Sequence, residues 1–176
     1  VVHGISGVGQ SLWNHLSAQI TFKVKDRITL ASGDDAVHFV LHYTSEGSSA
    51  INDMVLRTTP VVDEREERNP GLRTKYLTGD VPPDRAARIS CSIGLPDGSG
   101  YVRLASADPG IQPSFNYRYL QHPNDSRRAR EGLRLAIRLL ESDAYKDVAD
   151  HRIHPTDDVL ADDNALALWI RQTVGT

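Results

Sequence analysis

The residues that could do chemistry here are two close-spaced histidine pairs, one cysteine, a glycine-rich opening and a lone arginine in an alternating stretch. His38 and His42 stand four apart, the spacing of a zinc pair on a helix. The segment around them, Ala36 to Thr44, alternates as a strand instead: Val37, Phe39, Leu41 and Tyr43 on one face, His38, Val40, His42 and Thr44 on the other. On a strand the two imidazoles lie roughly 13 Å apart, too far to share one ion. His151 and His154 lack a converging third ligand, because nearby Asp157, Asp158, Asp162 and Asp163 suit the cap and first turn of a following helix. No metal site is predicted. Cys91 sits in the apolar run Ile89 to Leu95 and reads as a small buried hydrophobe. The opening His3 to His15 is not a dinucleotide turn: only Val1 and Val2 precede it, and Leu12 stands where the third glycine belongs.

The elements that must position these groups follow from periodicity and breakers. Strands are expected over Gln19–Leu30, Ala36–Thr44, Ile51–Val62, Ala87–Leu95 and Tyr101–Ala105. In the third of these, Met54, Leu56 and Thr58 share one face and Val55, Arg57 and Thr59 the other. Loops are expected at Ser32–Asp35, at Glu46–Ser49, in the charge run Asp63–Arg68 with Asn69-Pro70-Gly71, and at Pro82-Pro83-Asp84. Pro96-Asp97-Gly98 makes a turn. Asp108-Pro109 and Gln112-Pro113 bound a loop before a short extended run. A helix over Ser126–Leu140 carries Ala129, Leu133, Ile137 and Leu140 on one stripe, with Asn124, Asp125 and Ser126 as candidate caps. His151 to Pro155 reads as a loop, and a last helix runs from Asp163 to Val174 with Leu166, Trp169, Ile170 and Val174 on its apolar side. Strands followed by helices imply an α+β domain: a mainly antiparallel sheet of about five to six strands with helices packed on one face.

Composition narrows the class. With 176 residues, 39% hydrophobic and 24% charged, the chain suits one globular domain. A net charge of −3 without a basic stripe argues against a nucleic-acid partner, and no apolar run is long enough for a membrane span. The single cysteine excludes an intrachain disulfide and fits a cytoplasmic location.

One ordered set of motifs covers nearly the whole chain. Gly100-Tyr101-Val102-Arg103-Leu104-Ala105-Ser106-Ala107-Asp108-Pro109 is followed by Pro113 through Tyr119-Leu120, then Asp125, then Glu131-Gly132-Leu133-Arg134. This resembles the substrate-domain half of the glucose–methanol–choline family of flavoprotein oxidoreductases. Gly7-Val8-Gly9 leading to Asn14-His15 resembles the segment by which that family passes from its flavin domain to its substrate domain. Ser11 and Asn14 depart from the family's usual Asn and Asp. Asp163, Leu166 or Leu168, Trp169, Ile170 and Arg171 extend the match, and Asn52-Asp53-Met54 matches the family's lead into a cavity-wall strand.

The resemblance implies an FAD-linked reductase C-terminal-domain-like fold, with residues 1–18 as the connecting segment and 19–176 as the substrate-binding domain. It implies FAD as cofactor of a longer parent protein, bound by a flavin domain in cis and not by this chain alone. A small-molecule alcohol is the implied substrate, oxidised at CH–OH with hydride transfer to flavin. Arg57, His42 and Tyr43 are the implied cavity candidates, and Asn14 and His15 the implied flavin-side candidates. The catalytic histidine segment is expected beyond Thr176, so no catalytic residue is assigned within the chain. A flavin-facing surface left bare should favour self-association. Two other readings stay open: a stand-alone binding module on the same fold, and a lyase-type member of the family.

Overall fold

A computed structural model describes residues 3–30, 39–60 and 78–175. The expected positions of His38, the Ser32–Asp35 loop, Val61, Val62, the charge run Asp63–Arg68, Asn69-Pro70-Gly71 and Thr176 lie outside the described residues. Five strands form one antiparallel sheet: β1 (Leu16–Val24), β2 (Val40–Tyr43), β3 (Met54–Pro60), β4 (Ala86–Ile93) and β7 (Ala149–His154), in the order β2-β3-β4-β1-β7. A separate hairpin pairs β5 (Tyr101–Arg103) with β6 (Ser114–Asn116). Among the described residues the helices are α1 (Pro123–Leu140), the short α2 (Asp157–Ala161) and α3 (Asp163–Thr173), with one 3-10 turn at Pro83–Arg85.

The alternation in the strands decides which sheet face is dry. Leu16, Ala18, Ile20, Phe22 and Val24 of β1 point to the same side as Met54 and Leu56 of β3 and Ile89, Cys91 and Ile93 of β4. Across them lies the stripe Ala129, Leu133, Ala136, Ile137 and Leu140 of α1, with Leu166 and Ile170 of α3 beside it. A two-residue period thus meets a helical period, and the core fills between them. Gly132 lets α1 come close: a Cβ there would sit 1.9 Å from Cys91 Sγ and 3.0 Å from the Tyr43 hydroxyl. Cys91 is therefore the buried hydrophobe that its surroundings in the sequence suggest.

Several boundaries differ from the periodic reading, each for a local reason. Strand β1 stops at Val24, where Ile28 N donates to Lys25 O in a turn; Ile28 and Leu30 still pack on the core. Helix α1 begins at Pro123, three residues ahead of Ser126, because proline at the first turn needs no amide partner. Asp125 is consequently inside the helix and not its cap. The loop expected at His151–Pro155 is in fact β7 up to His154, an edge strand lacking clean alternation, which forms because β1 offers it an edge. The terminal helix is capped as its acids suggest: Asp162 accepts from the amides of Asn164 and Ala165. Among the described residues no helix is long and apolar enough to cross a membrane.

Candidate functional site

The second face of the sheet is polar, and no described helix packs on it. Register places its residues in rows: His42, Val55, Ser92 and Ser17; then Val40, Arg57, Ser90 and Gln19; then Thr59, Arg88 and Thr21. Apart from Thr21 and Ser92, these residues of β1, β3 and β4 stay half-accessible. Several are held in place by neighbours on the same face. Ser17 and Ser92 share a hydroxyl–hydroxyl bond of 2.5 Å, and Arg88 Nε donates to Thr59 Oγ1 at 2.9 Å. At the far end Lys23 is neutralised by Asp26 at 2.7 Å and Asp150 at 3.1 Å.

A buried ionic cluster fixes the end of the sheet nearest the hairpin. Arg128, 2% exposed, donates through Nη1 to Asp53 at 2.9 Å and through Nη2 to Asp125 at 2.6 Å, Asp97 at 3.2 Å and Leu95 O at 2.9 Å. Asp125 also accepts the amides of Asp97 and Gly98, so it ties α1 to the β4–β5 turn. Asp53 accepts from Ser45 N at 2.8 Å and Ser45 Oγ at 2.7 Å. Burial alone would raise the Asp53 pKa; these hydrogen bonds and the guanidinium outweigh it and hold the carboxyl at about 2. Carboxylate and imidazole atoms of Asp97, His122 and Asp125 lie within 4.8 Å of one another, but Arg128 already supplies the positive charge there.

Beside this cluster, the turn-rich segment 3–15 meets the β5–β6 hairpin through Gly9 and Leu12. Leu12 and Gly100 exchange backbone hydrogen bonds at 3.0 and 2.8 Å, and Val102 N donates to Gly9 O at 2.8 Å. Gly9 has φ +75°, and a Cβ on it would fall 2.2 Å from Val102 O. Gly100 is equally constrained, with Asn116 O 1.9 Å from the position a Cβ would take. Asn14 Nδ2 donates to the Tyr119 hydroxyl at 3.1 Å, and Tyr119 stacks on Tyr117 at 4.9 Å. Trp13, Asn14, His15, Gly94, Leu95 and Pro96 line an open cleft of about 340 Å³.

The structure divides the cavity candidates. Arg57 and His42 share the polar face on diagonal positions of β3 and β2. Tyr43 lies on the opposite, core side, where its buried hydroxyl faces Cys91 and Gly132. Burial pushes its pKa far up, and burial likewise pushes the Cys91 thiol up to about 12. Tyr43 thus packs on the core side of β2, where the strand alternation puts it. Arg128 and Arg88 escaped the sequence reading. The only trace of the first was its i,i+3 spacing from Asp125 on a helix stripe that otherwise carries apolar residues.

Known proteins place this geometry. The GMC oxidoreductase sequence profile matches residues 96–176, the half that holds the hairpin, α1 and α3. Over residues 96–176 the chain is thus similar to the GMC oxidoreductase family. It is 24% identical over 208 residues to GMC oxidoreductase family protein Mala s 12 of Malassezia sympodialis, covering 100% of this chain and 34% of that protein. It is also 24% identical over 189 residues to the oxygen-dependent choline dehydrogenase of Photobacterium profundum, covering 99% of this chain and 32% of that one. In fold it matches pyridoxine 4-oxidase from Mesorbium loti with a TM-score of 0.75 at 16% identity, over 95% of this chain and 31% of the other. The chain spans about a third of the length of these curated relatives.

The GMC motifs acquire physical reasons here. Asp125 bridges helix and turn, Gly132 admits the helix to the sheet, Gly9 and Gly100 admit neighbouring backbone, and Asp53 anchors the buried arginine. In the glycine-rich segment Gly9 O accepts from Val102 N, and Asn14 and His15 line the cleft beside it.

Proposed function

We propose that this chain is the substrate-side domain of a flavin-dependent oxidoreductase acting on CH–OH donors, its polar sheet face forming a wall of the substrate cavity. Residues 1–18 serve as the connecting segment and 19–176 as the domain proper, with FAD held by a flavin domain elsewhere in the longer protein. The observation that carries this reading is the asymmetry of the sheet. One face is sealed by α1 and α3, whereas the other presents Ser17, Gln19, Arg57, Arg88 and Ser90 with no described helix over it. A sheet of this kind is backed by helices and offers ordered hydrogen-bonding groups to a ligand. Oxidation of an alcohol removes a hydroxyl proton and a hydride from carbon. This chain's part is orientation: its strand-borne side chains fix where the alcohol lies, and the rigid sheet keeps that position. The surface formed by Ile5, Val8, Trp13, Leu104, Ile111 and Phe115, exposed on segment 3–15 and the hairpin region, is the proposed contact with the flavin domain. The reduced, buried Cys91 suits a cytoplasmic enzyme.

The test is a Ser90→Trp substitution in the longer protein, which fills the centre of the polar face. Flavin content should stay unchanged while kcat/KM for alcohols falls at least tenfold, on the order of 1.4 kcal/mol. Unchanged kinetics would remove the sheet face from the cavity.

A further inference from the structure

We infer that the substrate of this site carries an anionic oxygen group, a carboxylate or phosphate, which Arg57 binds from the sheet wall. The inference rests on the proposed function, whose cavity wall it specifies. Arg57 lies mid-strand on β3, half-buried, with Val40 and Ser90 as its registered neighbours. Its diagonal neighbours on that face are His42, Ser92 and Arg88. None of these is a carboxylate. Among the described residues Arg57 has no hydrogen-bond or ion-pair partner, although the buried Arg128 has several. A half-buried guanidinium presents a planar fork of donors, and closure of a cavity over it makes a matching anion the favourable occupant.

Arg88 strengthens the argument by position. It is diagonal to Arg57 across the β3–β4 pair, about 7–8 Å away at the backbone, a distance long side chains span. Its Nε is oriented by Thr59, so the second positive charge is held on the same face. The hydroxyl of Ser90, opposite Arg57 and two residues from Arg88 on β4, stands beside both arginines as a further donor. The Arg57 guanidinium also repels a cationic head group, so specificity has a negative arm as well as a positive one. A quaternary ammonium alcohol such as choline is disfavoured on this wall.

The experiment uses the longer protein with its flavin bound and follows anaerobic flavin reduction by four alcohols of matched carbon chain. These are a hydroxyalkanoate, the corresponding neutral diol, the phosphate monoester of that diol, and choline. The wild type should favour an anionic alcohol, and the stronger of the two anions identifies the group. Arg57→Gln should lower kcat/KM for that anion about ten- to a hundredfold, and for the diol by at least about fivefold less than that. Arg57→Lys, which keeps the charge without the fork, should recover part of the loss and guards against a merely misfolded Gln variant; flavin content reports folding of both. Equal effects of Arg57→Gln on the anion and the diol, or choline as the best substrate, overturn the inference. Reduction by the diol with no anionic preference overturns it alone, whereas no reduction by any alcohol overturns the oxidoreductase reading too.

Discussion

Gly132 offers the sharpest test of how the helix layer meets the sheet. Replacing it with alanine puts a methyl group 1.9 Å from Cys91 Sγ, 3.0 Å from the Tyr43 hydroxyl and 3.2 Å from Met54 Cε. Cys91 is on the central strand β4 and fully buried, so the sulfur cannot swing aside. Overpacking of this sort costs about 1–3 kcal/mol, and so severe an overlap belongs at the upper end. Alanine also gains about 1 kcal/mol of helix propensity over glycine. Net destabilisation of Gly132→Ala should therefore be about 2 kcal/mol. Cys91→Ala alone should cost about 1 kcal/mol, because it leaves a small cavity. In the double variant the new methyl occupies the space the sulfur leaves, so the costs should not add. Urea unfolding of the four proteins gives the coupling energy, expected at about 2 kcal/mol in the favourable sense. Additivity to within about 0.5 kcal/mol would refute the proposed contact and, with it, the placement of α1 over β4.

Other expectations follow from single features. Arg128→Met strands Asp53 and Asp125 as buried charges and should destabilise the fold by about 3–5 kcal/mol in urea unfolding, far more than loss of the exposed Arg134–Asp163 pair. Asp53 has a folded pKa of about 2, below its unfolded value, so its contribution is fully present above about pH 4 and is lost as pH falls towards 2. Unfolding midpoints measured across that window should show this loss in the wild type, with a shallower slope in Asp53→Asn. The Cys91 thiol, buried and pushed up to about 12, should react with a disulfide reagent only as fast as the protein opens, which time-resolved labelling in rising urea checks. Sedimentation of this chain alone should show self-association through exposed Trp13, Leu104 and Phe115, weakened in Trp13→Ser; a monomer at all concentrations would count against that surface as an interface.

What the sequence disclosed, and what it hid, follows from the reach of each signal. Alternation is local, so the core face of β1, β3 and β4 was readable from Ile20, Phe22, Met54, Leu56, Ile89 and Ile93. The α1 stripe was equally plain, and the last helix announced its cap at Asp162. Strand β7 was hidden because its residues do not alternate; its existence depends on an edge supplied by β1, more than a hundred positions away. Asp125 looked like a cap because caps favour aspartate, but Pro123 started the helix earlier and left that carboxylate to serve a distant turn. The ionic cluster was invisible for the same reason, since Asp53 and Arg128 meet only once sheet and helix have assembled. On the wall, Arg57 could be assigned a face by alternation, whereas its lack of an acidic neighbour required the register of three strands.

The central claim is that this chain walls the substrate cavity of a flavoenzyme whose flavin lies elsewhere in the protein. It is tested most directly by titrating FAD, with fluorescence detection, into this chain and into the longer protein, then adding alcohols without oxygen. The longer protein should bind FAD and have it reduced by an alcohol, while residues 1–176 alone should bind none. Tight FAD binding by this chain alone, or a longer protein that binds FAD but is reduced by no alcohol, would contradict the claim.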